Sequence, residues 1–312
     1  MTASPLAPVV VFAYRRPDHL RRTLDALAHN TGADQTDVTV IGDGPRNHAD
    51  ASACQEVLRE AERKRPFRSI TVLQRETNLG LAQSIISGVS QMLARNERII
   101  VLEDDIMTSP AFLPFMNKAL ERYSTDDRVI SVHGYSFPTE IQQPFFLRGA
   151  DCWGWATWRR GWELFEPDGA SLLRQLRNRS LTDAFDFDGT YPYTQMLEDQ
   201  IVGKNDSWAI RWYASAFLSG KLTLYPGRSL VRNIGNDGSG THGGATDQFD
   251  GELAQQAPDL SDLLVEESSE ARAAFERYFR ERDGRSQSGP PSSRFSRILQ
   301  RLDRKMLRGR RK

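Results

Sequence analysis

Apolar residues come in short unbroken runs separated by stretches of helical period, and this alternation repeats over the first 135 residues. Val9-Val-Val-Phe-Ala13 has no polar interruption, which predicts a strand covered on both faces rather than one wetted on one side. Residues 17–30 then place Leu20, Leu24 and Leu27 on one side of a helix that Asn30-Thr31-Gly32 ends. The same reading gives strands over 38–41, 69–73, 99–102 and 129–132. Helices are expected over 49–64, 81–94 and 110–123, with Ser109-Pro110 as the N-cap and first-turn proline of the last. Strands alternating with helices in this way predict an α/β fold, a doubly wound and mostly parallel central sheet with helices on both faces.

The pattern changes at residue 136. Residues 136–195, rich in aromatics and prolines, read as loops with small helices. Further on, 192–204 and 207–220 read as helices, the second capped by Asp206 and stopped by Gly220, and 222–225 reads as a last strand. Glycine and polar residues dominate 233–251, a loop whose backbone is cheap to rearrange around a ligand. A helix is expected over 271–282. The expected organisation is a catalytic domain over 1–252, with a donor half at 9–135 and an acceptor half at 136–252. A helical extension (253–283), a Gly/Ser/Pro linker (284–293) and a basic tail (294–312) follow.

Composition narrows the function classes. Of 312 residues, 39% are hydrophobic, enough for one large core, and 41 Lys and Arg balance 41 Asp and Glu, so no overall charge points to nucleic acid. The tail is the exception: nine basic residues alternate with Phe295, Ile298, Leu299, Leu302 and Met306 at helical spacing, the pattern of a helix lying on an anionic membrane. Cys54 and Cys152 form no disulfide framework or zinc spacing, and no signal peptide or long apolar run is seen. A cytoplasmic protein is expected, peripheral to the inner face of the cell membrane if the tail docks there.

The chemistry gathers where the strands end. The run Ile99-Ile-Val-Leu102 leads straight into Glu103-Asp104-Asp105, so three acids stand at the carboxyl end of a buried strand. Ligands bind at that edge of open parallel sheets, and clustered carboxylates repel unless a cation neutralises them; hard Mg2+ or Mn2+ suits that role. The first strand ends in Ala13-Tyr14-Arg15-Arg16-Pro17, without dinucleotide or Walker glycines, where a tyrosine and arginines are suited to a base and a phosphate. The second ends in Gly42-Asp43-Gly44, with Asp43 either a partner for a base imide or a turn aspartate. The third is followed by Asn78-Leu79-Gly80, whose helix-opening amides can face a phosphate or sugar, or where Asn78 simply caps the helix. Four tryptophans, Trp153, Trp155, Trp158 and Trp162, crowd into ten residues. Trp153 and Trp155 are the expected acceptor-stacking faces and the other two structural.

Taken together, these strand ends resemble the GT-A fold of nucleotide-sugar glycosyltransferases. Asp206-Ser-Trp-Ala-Ile-Arg211, then Gly220 and Tyr225-Pro226, is similar to the segment that carries the catalytic base in family 2, although Asn205 stands where that family usually pairs two acids. The stretch 101–113 and the glycine-rich run ending in His242 also resemble N-acetylglucosaminyltransferase I. The resemblance implies a metal-dependent, inverting transfer of a sugar from a nucleotide-sugar donor, UDP-sugars first, to a glycan or lipid-linked hydroxyl. It implies Asp105 and His242 as metal contacts, with Ala13, Tyr14, Arg15, Asp43, Asn78, Gly80, Glu103 and Asp104 around the donor. Asp206 is the implied base, with Glu198 and Asp199 as rivals. A sugar nucleotidyltransferase and a non-catalytic glycan- or nucleotide-sugar-binding protein are the alternatives.

Overall fold

A computed structural model describes residues 5–237 and 251–287. In chain order its elements are β1 (Val9–Ala13), α1 (Pro17–Ala28), β2 (Asp37–Gly42), α2 (Ala51–Ala61), β3 (Ser69–Gln74), α3 (Leu81–Leu93), β4 (Arg98–Glu103), β5 (Ile106–Thr108), α4 (Phe112–Arg122) and β6 (Val129–His133). There follow β7 (Phe145–Arg148), β8 (Trp155–Trp158), α5 (Arg159–Trp162), α6 (Gly169–Asn178), α7 (Thr182–Phe185), α8 (Tyr193–Ile201), α9 (Trp208–Leu218), β9 (Leu222–Tyr225), β10 (Val231–Asn233) and α10 (Ser269–Gln287).

Eight strands form one sheet in the order β3-β2-β1-β4-β8-β6-β9-β7, with β7 and β8 antiparallel to the rest. All five β1 residues are buried, and period two explains how: Val9, Val11 and Ala13 pack towards α1 and α4, while Val10 and Phe12 pack towards α3 and α9. α1 buries Leu20, Thr23, Leu24 and Leu27, the i, i+4, i+7 stripe, and Pro17 occupies its first turn, where a missing N–H costs nothing.

The sheet differs from the sequence expectation in the region read as loops. Within 136–195, Phe145–Arg148 and Trp155–Trp158 are strands, and β8 lies in the middle of the sheet between β4 and β6. Trp155, expected to face an acceptor, is only 1% exposed. It stacks on Trp208 at 5.4 Å between ring centres, and Trp162 and Trp212 each lie 5.8 Å away. A ring so enclosed has no face left for a sugar, so Trp155 is core, as are Trp158 and Trp162. Truncation to alanine should therefore cost about 3–5 kcal/mol of folding stability. Chemical denaturation of Trp155→Ala checks this, and an acceptor-facing ring would instead give a loss near zero.

Two helix starts also move. α4 begins at Phe112, after Ser109 has closed a turn on Ala111 and Phe112, and the side chain that caps α9 is Ser207, accepting from the Ile210 amide, which leaves Asp206 uncommitted to the cap. α10 continues to Gln287, four residues into the expected linker, and buries Ala271, Phe275 and Phe279 in the same cluster as β7 and α9. His242, the rest of the linker from residue 288 and the basic tail lie outside the described residues. Among the described residues, no helix is long and apolar enough to cross a membrane.

Candidate active site

β4 delivers Glu103, Asp104 and Asp105 to the carboxyl edge of the sheet, beside the ends of β1 and β2. Asp104 and Asp105 are buried and Glu103 is half-buried. The chain is held there by α1, whose Thr23 hydroxyl donates to the Asp104 carbonyl at 2.8 Å. A single guanidinium answers the three acids: Arg16 bonds the Asp104 carboxylate and, at 2.7 Å, Asp105 Oδ2. Burial works against the charge on Arg16, yet the two aspartates hold its pKa above the ordinary value. Burial raises Glu103 well out of the carboxylate range, and the charges of Asp105 and Asp104 add to it. Burial likewise raises Asp104 in spite of Arg16. One cation is thus too few for three acids at this edge.

A second strand pair closes over the acids. β5 leaves directly from Asp105 and pairs antiparallel with β10, whose next residue, Ile234, donates its amide to the Asp105 carbonyl at 2.8 Å. Gly235 follows against Asp105 Oδ2 and Arg16, so close that a Cβ there would overlap the carboxylate. Any larger residue would push into the acids. The chain that leaves β10 therefore passes over the cluster at Gly235, and Asp237 approaches His19 of α1 at 3.2 Å.

These residues fit a hard divalent cation that takes few ligands from the protein. Among the described residues no group of three His, Cys, Asp or Glu side chains forms a metal cage. Mg2+ needs none, being held by one or two carboxylates with waters and substrate phosphates. Asp105, with one oxygen on Arg16, and Glu103 supply such a set.

The neighbouring strand ends are bound up internally. Asp43 accepts from the amides of Gly44, Leu79 and Gly80 at 3.0–3.1 Å and from Asn78 Nδ2 at 3.0 Å, which fills the four acceptor positions of its carboxylate. It is the turn aspartate of the two readings, a clamp that ties the β3–α3 loop to β2. Asn78 spans the same gap to the Gly44 carbonyl and takes Arg46 on its oxygen, and the residue that precedes α3 as its N-cap is Gly80, whose φ of 77° needs glycine. Asp43→Ala should cost about 1–3 kcal/mol and speed amide exchange at Leu79 and Gly80; hydrogen exchange reads both. Tyr14 and Arg15 both turn to Asp50, at 2.8 and 3.0 Å. The residue that reaches the acids is Arg16.

On the far side of β4, Val101 and Glu103 share a face, Val101 pairs with Trp155, and Trp208 stacks on Trp155. This chain of contacts packs Trp208, the first residue of α9, on the face of β4 that carries Val101, and Asp206 stands two residues before it. Asp206 is 71% exposed and its one ion pair, to Arg211, is 3.5 Å long. Its rivals are engaged elsewhere: Glu198 with Arg177 at 2.6 Å, and Asp199 with Lys204 and Gln195 at 3.0 and 3.1 Å.

Comparison with known proteins bears on the same half of the chain. Residues 5–132 match the model of the family described as "Glycosyltransferase like family 2". They contain the residues that the sequence led us to expect around the donor and end at β6. No curated protein matches the chain. Among solved structures, mannosyltransferase PcManGT from Pyrobaculum calidifontis, in complex with GDP-Man and Mn2+, is 20% identical over 44% of this chain and 36% of that one, with a TM-score of 0.33. S. aureus TarS 1–349 in complex with UDP-GlcNAc is 16% identical over 44% and 38%, with a TM-score of 0.32. TarS 1–349 without a stated ligand is 11% identical over 74% and 62%, with a TM-score of 0.42. The chain thus spans less than two thirds of each of these structures.

Proposed function

We propose that the protein transfers a sugar from a nucleotide-sugar donor to a glycan or lipid-linked hydroxyl, with inversion at the anomeric carbon. The observation that carries this reading is the under-neutralised acid cluster at the end of β4, inside the segment that matches the family 2 model and beneath the loop that leaves β10. A donor diphosphate brings more negative charge to this edge; Asp105 and Glu103 would hold a divalent cation to offset it, and that cation would stabilise the charge developing on the leaving diphosphate. His242 joins this reading as a further contact from the glycine-rich run. Asp104 stays with Arg16, which is placed to turn towards phosphate as the cluster is neutralised.

The acceptor hydroxyl is scarcely ionised at neutral pH and needs a base. Asp206, exposed and weakly paired at the start of α9, takes that proton in this reading, whereas Glu198 and Asp199 are tied into ion pairs. A base on the face opposite the leaving group gives inversion. UDP-sugars are the first donors to try and GDP-sugars the second. The basic segment 294–312 agrees with an acceptor at a membrane surface.

The test is release of nucleoside diphosphate from a panel of UDP-, GDP- and dTDP-sugars with Mn2+ or Mg2+, with the product anomer read by NMR. Turnover of one donor class, stopped by chelator and giving the inverted anomer, is expected. A panel with no turnover, or turnover indifferent to chelator, contradicts the proposal.

A further inference from the structure

One carboxylate at the same edge has no part in the donor site. Asp151 lies in the crossing from β7 to β8, and its side chain is 29% exposed. It is held from below: Oδ1 accepts the Cys152 amide at 2.9 Å, and Oδ2 lies 3.8 Å from Nδ1 of His133, a residue 1% exposed at the end of β6. The other His133 nitrogen, Nε2, accepts from the Trp153 amide at 3.0 Å, so the proton of the neutral ring is on Nδ1, facing Asp151. Burial lowers the His133 pKa and keeps it neutral. Nδ1 makes no hydrogen bond to Asp151, 3.8 Å being too long for one.

The loop places this carboxylate between two regions. Gly154 packs on Ile106, the residue of β5 next to Asp105, and on Val231 of the paired strand β10. The Cys152 thiol, raised by burial, also feels the charges of Asp151, Glu103 and Asp105. On the other side, burial raises the phenols of Tyr191 and Tyr193, and the charge of Asp151 adds to both. Tyr191, Tyr193 and Trp153 are half-buried. A partly exposed carboxylate beside half-buried aromatic residues matches a pyranose, whose hydroxyl rim donates hydrogen bonds and whose C–H faces are apolar.

We propose that Asp151 is an acceptor-recognition residue: it accepts hydrogen bonds from the hydroxyls of a neutral glycoside seated against Trp153 and Tyr191, and it repels acidic sugars. This rests on the glycosyltransferase reading and adds the substrate class. His133 is the positioning residue beneath it. A uronate placed beside Asp151 meets like charge there, which disfavours it.

The test uses the full chain with whichever donor the panel identifies. The acceptor probes are methyl glycosides of glucose, galactose, mannose and N-acetylglucosamine, set against methyl glucuronide. The wild type should glycosylate at least one neutral probe in preference to the glucuronide. Asp151→Asn should raise KM for that probe about 10- to 100-fold with a smaller change in kcat, and should narrow the preference over glucuronide by at least tenfold. Asp151→Glu should restore part of both. The melting shift induced by donor and Mn2+ reports the other half of the site and should stay as in the wild type. If Asp151→Asn loses that shift, Trp153→Leu carries the comparison, with the same rise in KM expected. Unchanged KM and preference, a fall in kcat alone, or a wild type that prefers glucuronide or takes no neutral probe each overturns the proposal. Failure of the glycosyltransferase reading looks different: no donor shifts the melting of the wild type, and both proposals fall.

Discussion

Replacing Asp105 with alanine is expected to lower sugar transfer by about a thousandfold or more, because the charge stabilisation lost at the leaving diphosphate is worth several kcal/mol and each 1.4 kcal/mol is tenfold. The fold should survive. Asp105 shares Arg16 with Asp104, so its removal leaves that guanidinium paired, and it also relieves one like charge beside Glu103. Donor binding should lose its dependence on metal while the melting temperature without ligand stays level or rises. Direct assay of nucleoside diphosphate release, paired with a melting curve, separates this from a folding defect. A variant that retains most of its transfer rate would remove Asp105 from the cation.

The second large effect belongs to Asp206. Asp206→Asn keeps the size and polarity of the side chain but cannot take a proton, and should lower kcat by about 100- to 10,000-fold. Asp206 is paired with Arg211 rather than with any of the donor-side residues, so donor binding and metal-dependent melting shifts should match the wild type. Ser207 rather than Asp206 caps α9, and the loss of a weak 3.5 Å ion pair to Arg211 on an exposed group should barely alter stability. Glu198→Gln should leave kcat nearly unchanged, since its carboxylate serves Arg177. Should Asp206→Asn retain its rate, the proton must go elsewhere.

Comparing the two roles shows how far the chain announces its structure. β1, β2, β4, β6 and their helices were legible because both signals are local: unbroken apolar runs, and leucines at 20, 24 and 27. The acids at 103–105 were legible for the same reason, as a strand and its end are contiguous. β8 was not. Its partners β4 and β6 lie more than 20 residues away in sequence, and Trp-Ala-Thr-Trp reads equally as a ligand face or as core until the strands on either side bury it. Misplacing that strand made Trp155 look like an acceptor contact.

Asp151 and His133 were hidden by the same insertion, since they meet only because β8 is threaded in beside β6. Arg16 illustrates a finer limit. A pair of arginines after a strand shows that a positive charge is needed there, but the turn into Pro17 decides which one points to the acids and which to Asp50. Asp43 was readable as a site residue or a turn residue. Only the positions of the Leu79 and Gly80 amides, 36 and 37 residues on, show the carboxylate already filled.

The most direct measurement is calorimetric titration of the wild type and Asp105→Ala with the donor's nucleoside diphosphate, each with Mn2+ and with chelator. The account predicts binding by the wild type that tightens at least tenfold with Mn2+, and no such gain in Asp105→Ala. Equal affinity in all four titrations, or no nucleotide binding at all, would contradict the claim that the acids closing β4 hold a donor diphosphate through a divalent cation.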